Sequence, residues 1–351
     1  MRLIRLVHAW AGATLSLVLI GLGLSGSLLV WKDDYLRATI PEARQTGSLD
    51  LDTFALVAQQ AQDRLFAGPP SSITFATNQL GLHTVNLPNE AGAYLSRDGG
   101  IRLSWSGAER FEILLFDLHH YLLAGETGKI VAGASGLAAL GLTLTGLVIA
   151  LPALRLFSGR VWPSSGKRRE LIIAHRDLGL IIAAPLMLAT VTGAMLVFDD
   201  FARPALQAFA PGATIPKPPK TGVGIIDWSR AMSEAQRQFP TATIRIAIWP
   251  SAPGKPAAIR LRQVGEWHTN GRTIVWIDPE TSQAVGQVDA LALGGGDRFW
   301  NAIWPIHAAK LGDSPITTRT IDWVTSLTGL GLALLGFYGL WAFAFKAPAR
   351  R

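Results

Sequence analysis

Residues 174–200 read AHRDLGLIIAAPLMLATVTGAMLVFDD, and residues 8–34 read HAWAGATLSLVLIGLGLSGSLLVWKDD. In each stretch a histidine opens a long apolar run, one glycine follows four residues later and another follows eighteen residues later. The first set is His8, Gly12 and Gly26, and the second is His175, Gly179 and Gly193. Eighteen residues make about five turns of α-helix, so each histidine shares a helix face with its two glycines. Such a face suits a flat, bulky cofactor lying against the helix.

The composition is that of a membrane protein. The chain has 351 residues, of which 49% are hydrophobic and 16% are charged. Four apolar runs are long enough to cross about 30 Å of hydrocarbon, and they cover residues 1–31, 130–151, 171–198 and 321–345. We expect the first run to be a retained anchor, because it is too long for the apolar part of a signal peptide and has no convincing cleavage site.

Two polar stretches, each the size of a small domain, separate these runs at residues 32–129 and 199–320. Helical spacing is found at residues 51–66 and 225–239, and strand patterns at residues 71–78, 80–87, 91–105, 242–249, 257–264 and 273–278. The sequence therefore predicts an α-helical membrane protein with four transmembrane helices in two repeats, each repeat enclosing a small α+β domain.

Basic residues accumulate at one set of span ends and acidic residues at the other. The basic residues are Arg2, Arg5, Arg155, Arg160, Lys167, Arg168, Arg169, Lys346, Arg350 and Arg351, and the acidic residues are Asp33, Asp34, Asp199, Asp200 and Asp322. Positive-inside counting places both termini, the loop 152–170 and the tail 346–351 in the cytoplasm, and both polar domains in the periplasm of a Gram-negative cell. The net charge of +7 follows from this topology and requires no nucleic-acid partner. The absence of cysteine excludes disulfides, thiolate metal sites and iron–sulfur clusters.

Four of the seven histidines form two matched pairs in the sequence. His8 and His175 lie at equal depth near the cytoplasmic surface, whereas His307 and either His119 or His120 lie near the outer surface. One pair in each leaflet is what two bis-histidine b-type haems require, since a neutral imidazole is a good axial ligand. The glycines would then make room for the macrocycles, the inner one at Gly12 and Gly179 and the outer one at Gly26 and Gly193.

Each of these residues also has an ordinary structural interpretation. A histidine near a membrane interface commonly serves as a hydrogen-bonding residue, and a glycine in a membrane helix commonly serves helix packing. The recurrence of the same spacing in both halves favours the functional interpretation. His83 and His268 lie in predicted strands, where we expect surface or core histidines rather than metal ligands.

At these residues the sequence resembles the PepSY-associated transmembrane proteins, which include iron-regulated inner-membrane proteins and di-haem ferric-siderophore reductases. The resemblance covers essentially the whole chain and rests on four motifs in order. They are Arg5–Gly12 with its His–Trp–Gly pattern, Leu118-His119 with Gly125, His175-Arg176 with Gly179 and Thr192-Gly193, and Ile306-His307 with Gly312. On this alignment His119 is the ligand and His120 occupies a variable position. Two departures, Ser25 before Gly26 and Ala308 after His307, remove no ligand.

The resemblance implies two b-type haems, PepSY-like periplasmic domains and reduction of an iron chelate. We therefore predict a multi-pass oxidoreductase of the bacterial inner membrane, a haem-dependent transmembrane ferric-siderophore reductase. Electrons would pass from the cytoplasmic-side haem to the periplasmic-side haem and reduce a ferric siderophore, releasing Fe(II). The donor would be a cytoplasmic reductase or a quinol, because the glycine run 294–296 lacks the context of a dinucleotide fingerprint.

Two other functions remain as alternatives. A non-enzymatic, membrane-anchored periplasmic binding or regulatory protein of the PepSY type would contact membrane lipid, bind a peptide, a peptidase or a ligand through its outer domains, and use its histidines structurally. A permease subunit is disfavoured, because four spans in two repeats offer no broken helices. Trp276, Trp300 and Trp304 belong either to a docking surface or to an interfacial aromatic belt, and the belt is the commoner use.

Overall fold

A computed structural model describes residues 1–66, 68–311 and 315–345, and it divides the chain into two compact units. The membrane unit comprises Met1–Trp31, Phe111–Ala202 and the described residues from Ile306 onward. The sheet unit comprises Lys32–Arg110 and Arg203–Pro305, apart from residue 67. Gly312 and the predicted tail 346–351 lie outside the described residues.

Ten α-helices occur in the described chain. They are α1 (Arg2–Leu29), α2 (Lys32–Thr39), α3 (Leu51–Gln60), α4 (Phe111–Tyr121), α5 (Gly125–Ala150), α6 (Arg168–Val197), α7 (Asp199–Phe209), α8 (Trp228–Gln238), α9 (Gly295–His307) and α10 (Pro315–Ala344). The described chain also contains short 3-10 turns at Pro41–Arg44 and Leu151–Leu156 and a π-helical turn at Ala61–Leu65. Helices α1, α5, α6 and α10 are long and apolar enough to cross a membrane. The prediction of four membrane helices is therefore confirmed.

The long helices pack through small residues. Helix α1 packs against α10, where a Cβ on Gly23 would lie 2.5 Å from the carbonyl oxygen of Gly329. At the same interface Ser27 Oγ donates to the carbonyl oxygen of Ser326 at 2.8 Å, and Ser326 Oγ donates to that of Ser27 at 3.2 Å. Small residues let membrane helices approach closely enough for such bonds. Helix α6 packs against both α5 and α10, and α1 also contacts α5, so the four helices form a closed bundle.

Eight strands form one antiparallel sheet in the sheet unit. They are β1 (Ser72–Thr74), β2 (His83–Asn86), β3 (Gly92–Leu95), β4 (Ile101–Trp105), β5 (Thr243–Ile248), β6 (Ala257–Arg262), β7 (Thr273–Ile277) and β8 (Ala284–Val288). Their order is β4-β3-β2-β1-β5-β6-β7-β8. Strand β1 pairs with β5, with Ser72 opposite Ile248, so the two polar stretches of the sequence meet at the centre of the sheet.

This sheet corrects the prediction of two separate small domains. Helices α3 and α8 pack against each other, and one hydrophobic core contains Val57 and Val85 from the first stretch together with Trp228, Met232 and Ile259 from the second. Each stretch alone would have one helix packed on four short strands, α3 or α8, and an unpaired edge strand, which is too little to bury a stable core. Pairing β1 with β5 covers one edge strand of each half and joins the two halves around a single core.

Several elements differ from the sequence prediction. The predicted strand 91–105 is the hairpin β3–β4, which turns at Gly99, where φ is +89°. Strand β8 was not predicted. Helices α4 and α9, which carry His119 and His307, were not predicted either. Both are short, and α9 begins in a glycine run and contains Pro305, so local propensity gives little sign of a helix.

We expect Trp228→Ala to destabilise the sheet unit by about 3–5 kcal/mol, the usual result of truncating a buried aromatic residue. Trp228 is fully buried, lies 4.5 Å from Trp249 between ring centroids, and donates from Nε1 to Gln62 Oε1 at 3.1 Å. Urea unfolding followed by tryptophan fluorescence measures the change. Trp267→Ala is the matched control, because Trp267 is 62% exposed; equal losses in the two variants would contradict a shared core.

Candidate functional site

Two pairs of histidines face each other within the membrane unit. The ring centroids of His8 on α1 and His175 on α6 lie 6.2 Å apart, with their planes at 89°. The ring centroids of His119 on α4 and His307 on α9 lie 6.1 Å apart, with their planes at 34°. The structure thus brings together the same two pairs that the sequence grouped, although the partners are separated by more than 160 residues.

His119 is held against helix α1. Its Nδ1 lies 3.1 Å from the carbonyl oxygen of Leu22 and 3.2 Å from Ser25 Oγ. Gly26 leaves the space that the ring occupies, since a Cβ there would lie 2.8 Å from His119 Cε1. Ser25 therefore holds the ring by a polar contact, and Gly26 makes room for the ring because it has no side chain.

His307 is held against helix α6 in the same way. Its Nδ1 lies 3.1 Å from the carbonyl oxygen of Ala189 and 3.1 Å from Thr192 Oγ1. A Cβ on Gly193 would lie 2.8 Å from His307 Cε1. Ala189, Thr192 and Gly193 each follow by 167 residues the α1 residue that makes the corresponding contact with His119.

His8 and His175 are held by helices α5 and α10. His8 Nδ1 lies 3.0 Å from Thr145 Oγ1, and a Cβ on Gly146 would lie 3.3 Å from His8 Cε1. His175 Nδ1 lies 3.1 Å from the carbonyl oxygen of Leu335. Gly339 adjoins His175 in the same way as Gly146 adjoins His8, since a Cβ on Gly339 would lie 3.5 Å from His175 Cε1.

These contacts define the tautomer of all four imidazoles. A carbonyl oxygen can only accept, so Nδ1 of His119, His175 and His307 carries the hydrogen. The hydroxyl of Thr145 donates to the carbonyl oxygen of Gly141 at 2.8 Å, so its oxygen is left to accept from His8. No residue in the described part of the chain makes a hydrogen bond to Nε2 of these histidines. Each Nε2 therefore presents a lone pair, as a metal ligand must.

The spacing of each pair fits two imidazoles on opposite sides of one metal ion. A histidine nitrogen lies about 2 Å from a transition metal, and the centre of the imidazole ring lies about 1 Å beyond that nitrogen, so two such rings have centres about 6 Å apart. The observed distances are 6.2 and 6.1 Å. Within the described residues no group of three or more histidine and acidic side chains could hold a metal ion. Each pair supplies two imidazole ligands, which is the protein ligand set of a bis-histidine haem.

The glycines of the repeated motif differ in what they adjoin. Gly26 and Gly193 make room for the imidazole rings of His119 and His307. A Cβ on Gly12 would lie 3.9 Å from Leu142 Cδ2 and one on Gly179 would lie 3.7 Å from Leu335 Cδ2, which is ordinary helix packing. Neither of these two glycines adjoins a histidine of the pairs.

Sequence reasoning missed Gly146 and Gly339, although a signal was present. In each membrane helix the glycine beside a histidine follows a residue that bears a hydroxyl group. The four dipeptides are Ser25-Gly26, Thr145-Gly146, Thr192-Gly193 and Tyr338-Gly339. In the first three dipeptides the hydroxyl contacts the histidine, whereas the hydroxyl of Tyr338 donates to the carbonyl oxygen of Val161 at 3.2 Å.

His120 is bound within its own helix, although its ring centroid lies 5.4 Å from that of His119. Its Nδ1 donates to the carbonyl oxygen of Phe116 on its own helix at 2.9 Å, and its ring stacks on Phe116 with centroids 3.9 Å apart. His119, rather than His120, lies against α1 opposite His307. The geometry therefore favours His119 over the alternative that the spacing left open.

The remaining predicted residues lie in the sheet unit. His83 is fully buried, accepts at Nδ1 from the backbone N–H of Ala76 at 3.2 Å, and has a pKa lowered by burial to about 4. It is a neutral core residue. Trp276 is also buried, against Val288 and Leu293, and contributes to no surface.

The sequence matches the family model described as the PepSY-associated TM region over residues 5–346. The chain therefore belongs to the PepSY-associated transmembrane family, and it is a multi-pass membrane protein with an α+β sheet unit. No curated protein matches the sequence.

We expect Gly26→Ala to lower the melting temperature of the detergent-purified protein, because the new methyl group would displace His119 from Leu22 and Ser25 and cost about 1 kcal/mol for each lost hydrogen bond. Gly21→Ala on the same helix is the control. A Cβ on Gly21 meets nothing within 4 Å, and alanine is favoured over glycine in a helix by about 1 kcal/mol, so this variant should melt at the same or a higher temperature. Equal melting of the two variants would contradict the close approach at Gly26.

Proposed function

We propose that this protein is a di-haem b oxidoreductase of the bacterial inner membrane that reduces ferric siderophores in the periplasm and so releases Fe(II). The observation that carries the proposal is the pair of facing histidines, found twice, each with Nδ1 bound to a neighbouring helix and Nε2 without a partner in the described chain. His8 and His175 would hold one haem, and His119 and His307 the other. Bound there, the haems supply one-electron transfer.

Hydrogen bonds from residues of neighbouring helices orient these histidine ligands. A hydrogen bond from Nδ1 to an oxygen atom orients an imidazole and raises the basicity of its Nε2. Each histidine is bound by a helix other than its own, so the orientation depends on the packing of the bundle. The ligand positions are thereby set before any cofactor binds.

The two pairs lie at different depths along the bundle. On α1, fourteen residues separate His8 from Leu22, which contacts His119, and on α6 the same number separates His175 from Ala189, which contacts His307. At 1.5 Å per residue this is roughly 21 Å, out of a hydrocarbon thickness of about 30 Å. One pair therefore falls in each leaflet, as a path across the membrane requires.

The two halves of the membrane unit would be repeats, with matching contacts to His119 and His307 at an offset of 167 residues. The arginine-rich loop 152–170 would face the cytoplasm by the positive-inside rule, with both termini. The sheet unit would then lie in the periplasm, where it would meet the ferric complex. The electron donor would be a cytoplasmic reductase or a quinol of the membrane.

The chemistry of the substrate explains why one electron suffices. Siderophores bind iron through hard oxygen atoms, which prefer the higher charge of Fe(III). After reduction the metal is held weakly and leaves, and no bond of the chelator is broken. The protein therefore needs no acid, base or nucleophile for this reaction.

We expect the protein purified from haem-replete cells to contain about two haem b per chain by pyridine haemochrome assay, one for each histidine pair. His8→Ala and His307→Ala should each remove one haem. His120→Ala is the control and should retain both, because Nδ1 of His120 is bound to Phe116 of its own helix and its ring stacks on Phe116. A colourless protein would contradict the proposal and would favour a non-enzymatic PepSY-type binding protein.

We further expect the dithionite-reduced protein, freed of excess reductant, to reduce a ferric tris-hydroxamate siderophore. A chromogenic Fe(II) chelator should record about two Fe(II) per chain, one for each stored electron. His307→Ala should yield at most half as much and at a lower rate. A protein that contains two haems but produces no Fe(II) would refute ferric reduction while leaving electron transfer intact.

A further inference from the structure

The polar face of the sheet carries a group of arginines that the proposed function has not used. They are Arg245, Arg260, Arg262 and Arg272, all partly exposed. On β6 the alternation is strict, so that Ala257, Ile259 and Leu261 are buried in the core while Arg260 and Arg262 point to the opposite face. Successive strand residues face opposite sides of a sheet, and this side lies away from α3 and α8.

A β-bulge and one loop bring the other two arginines to the same place. The register between β5 and β6 shifts between Ile244 and Ile246, which leaves Arg245 as the extra residue and turns it out of the core. Arg245 Nη2 donates to Asn270 Oδ1 at 3.1 Å, on the loop that also carries His268 and Arg272. Arg260 Nη2 lies 3.4 Å from His268 Nε2, and after burial the charges of all four arginines lower the pKa of His268, so each of them lies near it.

Neutral oxygen atoms accept hydrogen bonds from these guanidinium groups. Arg260 Nε donates to the carbonyl oxygen of Gly271 at 2.7 Å, and Arg262 Nη2 approaches that of Glu266 at 3.4 Å. In the described chain no carboxylate makes an ion pair with Arg245, Arg260 or Arg272.

The nearby acids have other partners. The Glu266 carboxylate accepts from the backbone N–H of Gln263 at 2.9 Å, from that of Arg272, and from Thr273 Oγ1 at 2.8 Å. The Asp297 carboxylate accepts from Arg203 and Gln207. Glu266 lies close to the arginines, and its oxygens are therefore already bound by other donors.

The positive charges are incompletely balanced. Burial, followed by repulsion from Arg272, lowers the pKa of Arg260 to about 9, and burial with repulsion from Arg262 lowers that of Arg245 to about 10. Nε of Arg245 and of Arg272 is buried without a hydrogen-bond partner in the described chain. Crowded cations with unused donors destabilise a fold unless an anion neutralises them.

A stacked pair of rings adjoins the arginines, with His268 buried and Trp304 partly exposed. His268 stacks on Trp304 with ring centroids 4.6 Å apart and planes at 18°. Burial and the surrounding arginines lower the pKa of His268 to about 2, so its imidazole is neutral at any physiological pH. The group therefore combines fixed positive charge with a flat apolar side.

We propose that this arginine face is a binding site for a compact polyanion, a ligand that presents several carboxylate or catecholate oxygens. Planar guanidinium groups bind such oxygens in pairs and remain charged when partly buried, and the half-buried ring of Trp304, which rests on the buried ring of His268, would contact an apolar or aromatic part of the ligand. The site itself stands on the sheet unit alone. Its use in docking negatively charged ferric chelates rests on the proposed function.

Citrate is the probe, and thermal unfolding of the full-length protein in detergent, followed by tryptophan fluorescence, is the measurement. We expect saturating citrate to raise the melting temperature by about 5 °C, and sodium chloride of the same ionic strength to raise it less. Arg260→Gln should weaken citrate binding about tenfold or more. Arg230→Gln is the matched control, since Arg230 is an exposed arginine on α8 of the same unit.

A second readout separates binding from folding. Without citrate, Arg260→Gln should melt at the same or a higher temperature than the parent protein, because it removes one of several crowded charges. An unchanged citrate response in Arg260→Gln, or an equal response to chloride, would overturn the site. Loss of one haem in Arg260→Gln would also overturn it, by assigning the arginine to a haem carboxylate. A colourless protein with an intact citrate response would refute the reductase and keep the anion site.

Discussion

The hydrogen bonds from imidazole Nδ1 to oxygen atoms of a neighbouring helix are the interaction on which the membrane unit depends. His119 bonds to α1, His307 to α6, His175 to α10 and His8 to α5. A buried imidazole without a partner would cost free energy in an apolar bundle, so these bonds stabilise the helix contacts and orient the rings at once. They also fix the tautomer, because a carbonyl oxygen accepts only. The same hydrogen bonds therefore determine how the helices pack and which nitrogen of each imidazole carries the hydrogen.

Glycine makes this arrangement possible. An imidazole can lie against a helix backbone only where that helix lacks a side chain, and Gly26 and Gly193 provide that space for His119 and His307. The adjacent hydroxyl group of Ser25 or Thr192 then reaches the ring nitrogen. The same small residues would serve helix packing alone in an ordinary membrane protein. What distinguishes them here is the ring that fills the space.

The two faces of the sheet differ in burial and charge. Its core side joins Val57 and Trp228, from distant parts of the chain, in one apolar cluster, while its other side gathers Arg245, Arg260 and Arg272, with which no carboxylate of the described chain makes an ion pair. The residues that stabilise the fold and those that we propose bind a ligand thus lie on opposite faces of one sheet. The apolar face provides the free energy of folding, and this allows the polar face to hold charges in an arrangement that is unfavourable without a ligand.

The sequence by itself determined the four membrane helices and the grouping of the histidines, because length, hydrophobicity and a repeated spacing are local properties. It did not determine that His119 rather than His120 faces His307, that Gly26 adjoins an imidazole, or that Gly146 and Gly339 belong to the site. Those facts depend on which helix faces which. The single sheet was likewise decided by tertiary structure, since the pairing of Ser72 with Ile248 joins strands far apart in the chain. Short helices such as α4 and α9 are also stabilised mainly by tertiary packing, and for that reason no local sequence pattern predicted them.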